Sequence, residues 1–438
     1  MRKYALLILV LLSFTALPAQ VISLKTCIEV GLTNNYSLRI VRNEERIAEN
    51  NVTRANAGYL PTVAATAGYN GALNSSNTTS RGAGGIARNR NVADHTLQAG
   101  INAEWTIFDG FKIQTNYKRL QELKRQSATQ TRIAIEDYIA QLVAEYYNYI
   151  QQRIRMRNFR YAVALSKERL RIVQERYIIG NNSRLDLQQA QVDFNADSAQ
   201  SLRQQESLAT SRIRLNELMA VRDSSSRLTV QDTTINVNST LSFDSLWAAT
   251  LRTNASLISA AQDKRLAELD YKSIRSRDYP YVTLNANYGY TYNRYGSGTS
   301  QSRHNWGGDV GVTVGFRLFD GNRERERRNA QLNIDNAELA RRDLELSLHA
   351  DLADLYQAYQ NNLRLLTLER QNLITAQENH FIACERYLLG DLSGIEMREA
   401  QKSLLDAEER ILVAEYDTKL CEISLLQLSG GIMSYLID

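Results

Sequence analysis

The side chains that could carry chemistry are few in this 438-residue chain. Cys27, Cys384 and Cys421 could supply a nucleophile, a disulfide or a soft metal site. They are widely spaced, form no Cys-x-x-Cys pair and are accompanied by only four histidines, so they read as small, semi-buried apolar residues. Gly82, Gly84 and Gly85 could cradle a phosphate, but no Gly-Lys-Ser or Gly-Lys-Thr is present; that segment reads as a solvated turn. Glu396 and Glu399 read, on residue type alone, as part of a wetted helix face. With 52 basic and 48 acidic residues the net charge is +4, too balanced for a nucleic-acid partner. No nucleotide motif, nucleophile constellation or metal framework emerges. The chain therefore reads as a non-enzyme with no cofactor and no resident metal.

The elements that hold these residues are more informative. Residues 1–19, MRKYALLILVLLSFTALPA, have a basic start, an apolar run and a small residue at the end, the pattern of a secretory signal peptide cut before Gln20. Cys27 does not sit at the cut, which argues against a lipid anchor. Beyond residue 20 no stretch approaches the 18 or so apolar residues of a spanning helix, so any membrane insertion must be by strands. Only 3 prolines occur, against 23 tyrosines; scarce proline permits long helices, and tyrosine suits boundaries between apolar and wet surroundings.

The chain is a tandem repeat. SLKTCIEVGLTNNYSL from Ser23 aligns with SFDSLWAATLRTNASL from Ser242, and Pro61 aligns with Pro280. Phe108-Asp109-Gly110 answers Phe319-Asp320-Gly321, and Arg176-Tyr177 with Gly180 answers Arg386-Tyr387 with Gly390. The expected units are 20–220 and 242–438, joined by a polar link over 221–241. Each copy has two segments of period-two alternation, about 62–73 and 96–108, then about 281–293 and 309–319, read as strands. The segments 74–95 and 294–308 read as polar loops. Pro18 belongs to the signal peptide; Pro61 and Pro280 each precede a strand, because proline disfavours helix before it and is tolerated at a strand's first position.

From Phe111 to Ile178, and from Asn322 to Leu389, there is no proline or glycine. Helices of that length, roughly 100 Å at 1.5 Å per residue, belong in a coiled coil or helical wall. Three-four spacing marks the seam: Ile135, Ile139, Leu142, Tyr146, Tyr149, Val173 and Tyr177 in the first copy, and Leu352, Tyr359, Leu366, His380, Ala383 and Tyr387 in the second. His380 reads as a packed seam residue. After Gly180 and Gly390, return helices run to about Ala220 and Leu428. Shorter helices near Val30–Ala57 and Ala249–Ser276 would stack end to end with them beside each long helix.

Taken together, AGYLPTV and RDYPYVT before the first strands, WTIFDGF and FRLFDGN after the second, and ERYIIGNNSRLDLQQAQ and ERYLLGDLSGIEMREAQ at the helical turns resemble the TolC family of bacterial outer-membrane efflux channels. The resemblance implies a mixed α and β membrane protein of the Gram-negative outer membrane. Long antiparallel coiled-coil helices would form a periplasmic α-barrel, and four strands per subunit would enter a trimeric twelve-stranded β-barrel in outer-membrane lipid. Strand count independently demands an oligomer, since four strands cannot close a barrel and open edges are not tolerated in lipid. The implied function is a passive homotrimeric exit duct, served by an inner-membrane transporter and a periplasmic adaptor protein. By motif match, Tyr177, Gly180, Asn181, Asn182, Tyr387, Gly390, Asp391 and Leu392 would dock the adaptor. Asp186 and Tyr387 match closing contacts, with Arg184 standing in for a basic partner absent at Leu392. Glu396 and Glu399 match an acidic entrance ring that attracts cations and metal blockers. The alternative, an exported coiled-coil structural or adhesive envelope protein, would account for the helices but not for four strands at duplicated positions.

Overall fold

The computed structural model describes residues 21–79, 86–223, 225–226 and 228–436. The signal peptide and Gly82, Gly84 and Gly85 lie outside the described residues. The chain divides into two compact units. One takes the chain up to Asn43, Thr129–Ser259 and the chain from Arg342 onward; the other takes Glu44–Ala128 and Ala260–Arg341.

In chain order the elements are β1 (Val21–Ile22), α1 (Leu24–Asn34), α2 (Tyr36–Asn51), α3 (Arg54–Ala57), β2 (Thr62–Thr79), β3 (Ile86–Asp109), α4 (Lys112–Ile178), α5 (Arg184–Leu218), β4 (Thr229–Val230), α6 (Phe243–Thr253), α7 (Ala255–Arg275), β5 (Tyr281–Arg294), β6 (Ser302–Gly315), α8 (Arg323–Leu389) and α9 (Gly394–Leu428). The repeat shows in their lengths: α4 and α8 have 67 residues each, and α5 and α9 have 35 each. Pro61 and Pro280 stand immediately before β2 and β5.

Each leading helix starts earlier than expected and is broken at Asn35 or at its repeat mate Asn254, the first copy a second time at Val52–Thr53 before the short α3. The cause of the shared break is the asparagine side chain. Asn35 Oδ1 accepts from Leu38 N at 3.2 Å and Asn254 Oδ1 from Leu257 N at 3.0 Å, a side-chain cap that starts a new helix. Their amide nitrogens donate to Leu218 O at 3.2 Å and Leu428 O at 2.9 Å. The end of each return helix therefore abuts the start of α2 or α7, the junction that end-to-end stacking requires.

The first unit is built around the middle of α4. Ile139, Leu142, Val143, Tyr146 and Ile150 are fully buried with Cys27, Ile28 and Leu215. Leu352 and Tyr359 of α8 form a second cluster with Leu246 and Leu425. The link over 221–241 is strapped down: β4 pairs in parallel with β1, Tyr149 Oη donates to Leu228 O at 3.0 Å, Tyr146 Oη to Asp232 Oδ2 at 2.8 Å, and Tyr359 Oη to Asn238 O. These three tyrosines are thus spent inside, each ring buried and its hydroxyl satisfied by the link. His380 is buried in the seam as expected, and desolvation lowers its pKa. Cys384 Sγ lies 3.7 Å from His380 Nε2, but burial raises the thiol pKa, the opposite of what activates a nucleophile. Tyr177 departs from the seam: it is exposed, whereas Tyr387 is buried.

The return helices end alike, yet with different residues in the left-handed region: Ala220 at φ 52° and Gly430 at φ 72°. A Cβ at Gly430 would meet Thr253 Oγ1 at 2.8 Å and Thr253 O at 3.0 Å. Left-handed backbone costs a non-glycine residue about 1 kcal/mol, so Ala220→Gly is expected to stabilise by up to about 1 kcal/mol and Gly430→Ala to destabilise by about 2 kcal/mol. Denaturant midpoints moving in the same direction for both would refute this account.

Candidate functional site

Two surfaces carry functional geometry, one in each unit. The first is a four-stranded antiparallel sheet in the order β2-β3-β5-β6. Registers such as Ala67↔Ala99, Ala99↔Tyr290 and Tyr290↔Trp306 place odd positions of β2 and β3 and even positions of β5 and β6 on one face. That face carries Val63, Tyr69, Leu73, Leu97, Ile101, Tyr288, Val310, Val312 and Val314, all exposed, Val310 to 75%. The other face is polar and cross-bonded: Asn102 Nδ2 donates to Thr66 Oγ1 at 3.1 Å, Thr96 Oγ1 to Asn293 Oδ1 at 2.9 Å, and Asn287 Nδ2 to Asp309 Oδ2 at 3.0 Å. Exposed apolar side chains on one face and polar ones on the other is the pattern of a sheet between lipid and water.

Aromatic residues bound the apolar face. At one level Tyr69 stacks on His95 at 5.9 Å and Tyr290 packs on Trp306 at 4.9 Å. At the other, Trp105 Nε1 donates to Tyr59 O at 2.9 Å, and Phe111 packs edge-on against Phe108 and Tyr279. Such belts sit where hydrocarbon gives way to head groups. Among the described residues no helix is long and apolar enough to cross a membrane.

The ladder runs past the expected strand ends: β2 continues to Thr79, β3 begins at Ile86, and only 295–301 separate β5 from β6. Outside the apolar band both faces are polar, so the alternation fades while backbone pairing continues. β6 errs the other way. It stops at Gly315, leaving Phe316, Leu318 and Phe319 exposed, Phe319 to 90%, because among the described residues its one partner is β5, which begins at Tyr281 opposite Gly315.

The second surface is the pair of helical turns. Gly180 at φ 83° and Gly390 at φ 90° close α4 and α8. Asn181 N donates to Arg176 O at 2.8 Å and Gly180 N to Tyr177 O at 3.0 Å; Asp391 N to Arg386 O and Gly390 N to Tyr387 O repeat the pattern at 2.9 and 3.2 Å. Left-handed glycine is what this helix stop needs. Each return helix then opens with a capping box. Asp186 Oδ2 accepts from Ser183 N and Oγ at 2.9 and 2.8 Å, and Glu396 Oε2 from Ser393 N and Oγ at 3.0 and 2.7 Å. The Ser-x-x-Asp and Ser-x-x-Glu spacing is readable in the sequence.

These contacts redefine several expected site residues. Asp186, Asn182, Tyr387 and Glu399 line one cavity of about 460 Å³, together with Arg169 and Arg398. Asp186 and Glu396 spend their carboxylates on the caps. The Tyr387 hydroxyl is buried without a hydrogen-bond partner among the described residues, so it makes no bond to Asp186 here, and burial raises its pKa. Leu392 packs into the apolar cluster of Val173, Ala383, Tyr387 and Met397, which accounts for an apolar residue at that position. Arg184 and Asp391 are exposed, and Arg184 stands outside the cavity lining. The cavity's cations are instead Arg398, bidentate to Asp197 at 2.7 Å for both bonds, and Arg169, paired with Asp193. Their repeat mates break the pattern, since Ser403 and Ala407 stand where Asp193 and Asp197 would recur; periodicity therefore gave no signal for them.

The cap at Ser393 is pH-sensitive. Hydrogen bonds from Ser393 hold the Glu396 pKa below its ordinary value, so their contribution is complete above the usual carboxylate range and is lost as pH falls through the depressed value. Ser393→Ala is expected to loosen the first turn of α9 by about 1 kcal/mol, read as faster amide exchange there at neutral pH. Below the Glu396 pKa the gap between variant and parent should narrow; a pH-independent gap would refute the cap.

The profile of the family described as "Outer membrane efflux protein" matches residues 28–221 and 246–431, once per repeat. The chain is 23% identical over 413 residues to Outer membrane protein TolC of Vibrio cholerae, covering 91% of this chain and 88% of that protein. Its fold is similar to the Campylobacter jejuni CmeC outer membrane channel, with a TM-score of 0.77 at 17% identity over 93% of this chain and 85% of that one. It is also similar to the Neisseria gonorrhoeae MtrE outer membrane channel in its open state, with a TM-score of 0.72 at 16% identity over 93% and 89%. Repeat, two-faced sheet and paired helical turns thus coincide with a match over most of its length, and the chain belongs to the outer membrane efflux protein family, as an efflux channel of the outer membrane.

Proposed function

We propose that three copies close one twelve-stranded barrel and form a passive exit duct for substrates delivered by an inner-membrane transporter through a periplasmic adaptor. The observation that carries this is the open sheet: an apolar face bounded by aromatic belts, with β2 and β6 both lacking an outer neighbour among the described residues. Unpaired backbone in hydrocarbon costs several kcal/mol per group, and four strands cannot close alone. Transposing the β3–β5 ladder by the repeat pairs β6 of one subunit with β2 of the next. Ala103↔Ala286 becomes Val314 with the neighbouring subunit's Ala67. Phe108↔Val282 becomes Phe319 with the neighbouring subunit's Val63, which draws the exposed segment 316–320 into the barrel.

The helical turns dock the adaptor. Tyr177, Gly180, Asn181, Asn182, Tyr387, Gly390, Asp391 and Leu392 make up that region, and Asp186, Arg184, Tyr387, Glu396 and Glu399 the gate beside it. Glu399, whose carboxylate the capping box leaves unclaimed, is the better candidate for a cation-attracting ring. Planar-bilayer recording tests the duct: purified protein should give discrete, cation-preferring conductance steps, with Glu399→Lys reducing the preference. A trimer that never conducts, even with the tip loosened, would favour the structural-protein alternative.

A further inference from the structure

The two long helices end alike, but only one end is covered. At the end of α8, Tyr387 is 5% exposed, and the Arg176 guanidinium carbon stands 5.1 Å from its ring centre. Arg176 Nη2 also donates to Tyr387 O at 3.1 Å and Leu388 O at 3.2 Å. Both interactions are physically apt. The last carbonyls of a helix lack intrahelical partners and carry the negative end of its dipole, and a guanidinium is attracted to an aromatic face.

The end of α4 has the same acceptors and, among the described residues, no such donor. Gly180 N is taken by Tyr177 O, and Asn181 N and Asn182 N by Arg176 O, so none of these turn amides reaches Ile178 O, the mate of Leu388 O. Tyr177 is 40% exposed and Ile178 74%. Conversely Arg386, the repeat mate of Arg176, is exposed. Among the described residues one copy therefore presents an uncovered acceptor and ring, and the other a donor of the matching kind, Arg386, whose charge acts on Glu396 but whose guanidinium makes no hydrogen bond.

We propose that Arg386 of each subunit clasps the α4 terminus of the neighbouring subunit, its guanidinium over the neighbouring subunit's Tyr177 and donating to the Tyr177 and Ile178 carbonyls. This rests on the ring of identical subunits put forward above. In such a ring the copies alternate, so the boundary between copy one and copy two inside a chain recurs, in the same direction, between copy two and the next chain's copy one. The donor and acceptor that meet inside the chain are both duplicated, and the unused pair is the one left for the boundary between chains.

Cysteine pairs in the full-length assembled protein test it. Cys384 and Cys421 are first replaced by alanine; Cys27 can stay, because it is fully buried and its thiol is pushed up to about 12. Arg386→Cys with Tyr177→Cys, treated with a short bis-maleimide, should convert single-chain bands on a denaturing gel into dimers and trimers, while either single variant stays monomeric. Arg176→Cys with Tyr387→Cys should cross-link within the chain and give no ladder. Val314→Cys with Ala67→Cys reports the barrel edge separately. A ladder from the edge pair with none from the tip pair would overturn the clasp and leave the ring intact. If neither pair gives a ladder, the ring itself falls and takes the clasp with it.

Discussion

Replacing Glu422 by alanine is expected to destabilise the chain by about 3–5 kcal/mol, the cost of leaving one member of a buried ion pair alone. Lys419 Nζ donates to Glu422 Oε1 at 2.7 Å, and both side chains are almost wholly buried. Tyr435 Oη donates to the same oxygen at 3.0 Å, and Asn238 N to Glu422 Oε2 at 2.9 Å. The ammonium also faces the rings of Tyr147 at 4.9 Å and Tyr435 at 5.3 Å. Truncation removes the acceptor from three donors at once, and the two rings offset only part of the stranded charge. Replacing Lys419 by methionine and Glu422 by leucine together should recover most of the loss, because a well-packed apolar pair is often as stable as a buried ion pair. Denaturant midpoints decide it; a loss under about 1 kcal/mol for Glu422→Ala would show that water reaches the pair.

On the sheet, Val312→Arg is expected to cost about 2–4 kcal/mol per subunit, and Thr313→Arg much less. Val312 pairs with Leu284 and is flanked on its own face by Val310 and Val314, whereas Thr313 pairs with Thr283 on the polar face. One residue along the strand therefore separates a cation in hydrocarbon from one beside water. Folding yield into lipid vesicles across a urea series measures the difference. Equal tolerance of the two variants would mean that this face does not meet lipid.

The two faces of the sheet, the long helices and the repeat were legible because each is a property of local period. Alternation of two is enough to assign Val310, Val312 and Val314 to one face, and 67 residues without proline or glycine are enough for α4. The paired breaks at Asn35 and Asn254 and the boxes at Ser183 and Ser393 were also present as local signals, since capping depends on neighbours within three residues. The strand ends beyond the apolar band were not, because there the backbone ladder continues without a hydropathic period.

The class of this protein is written in the order of its residues: an exported tandem repeat whose strands have a lipid face and whose helices are too long for a globule. Short-range spacing suffices for that, because helix and strand periods are written residue by residue. Only the tertiary structure decided what the duplicated residues do. Tyr177 and Tyr387 have the same local surroundings, yet one is exposed and the other lies buried under Arg176. Asp193 and Asp197 pair with Arg169 and Arg398, of which Arg398 comes from the other copy. Lys419 and Glu422 are one helical turn apart, and their pair is covered by distant segments: Asn238 of the link, Tyr147 of α4 and Tyr435. In each case burial and charge depend on which distant segment covers the residue, and two copies of one sequence pattern are covered differently because the copies pack on each other rather than on themselves.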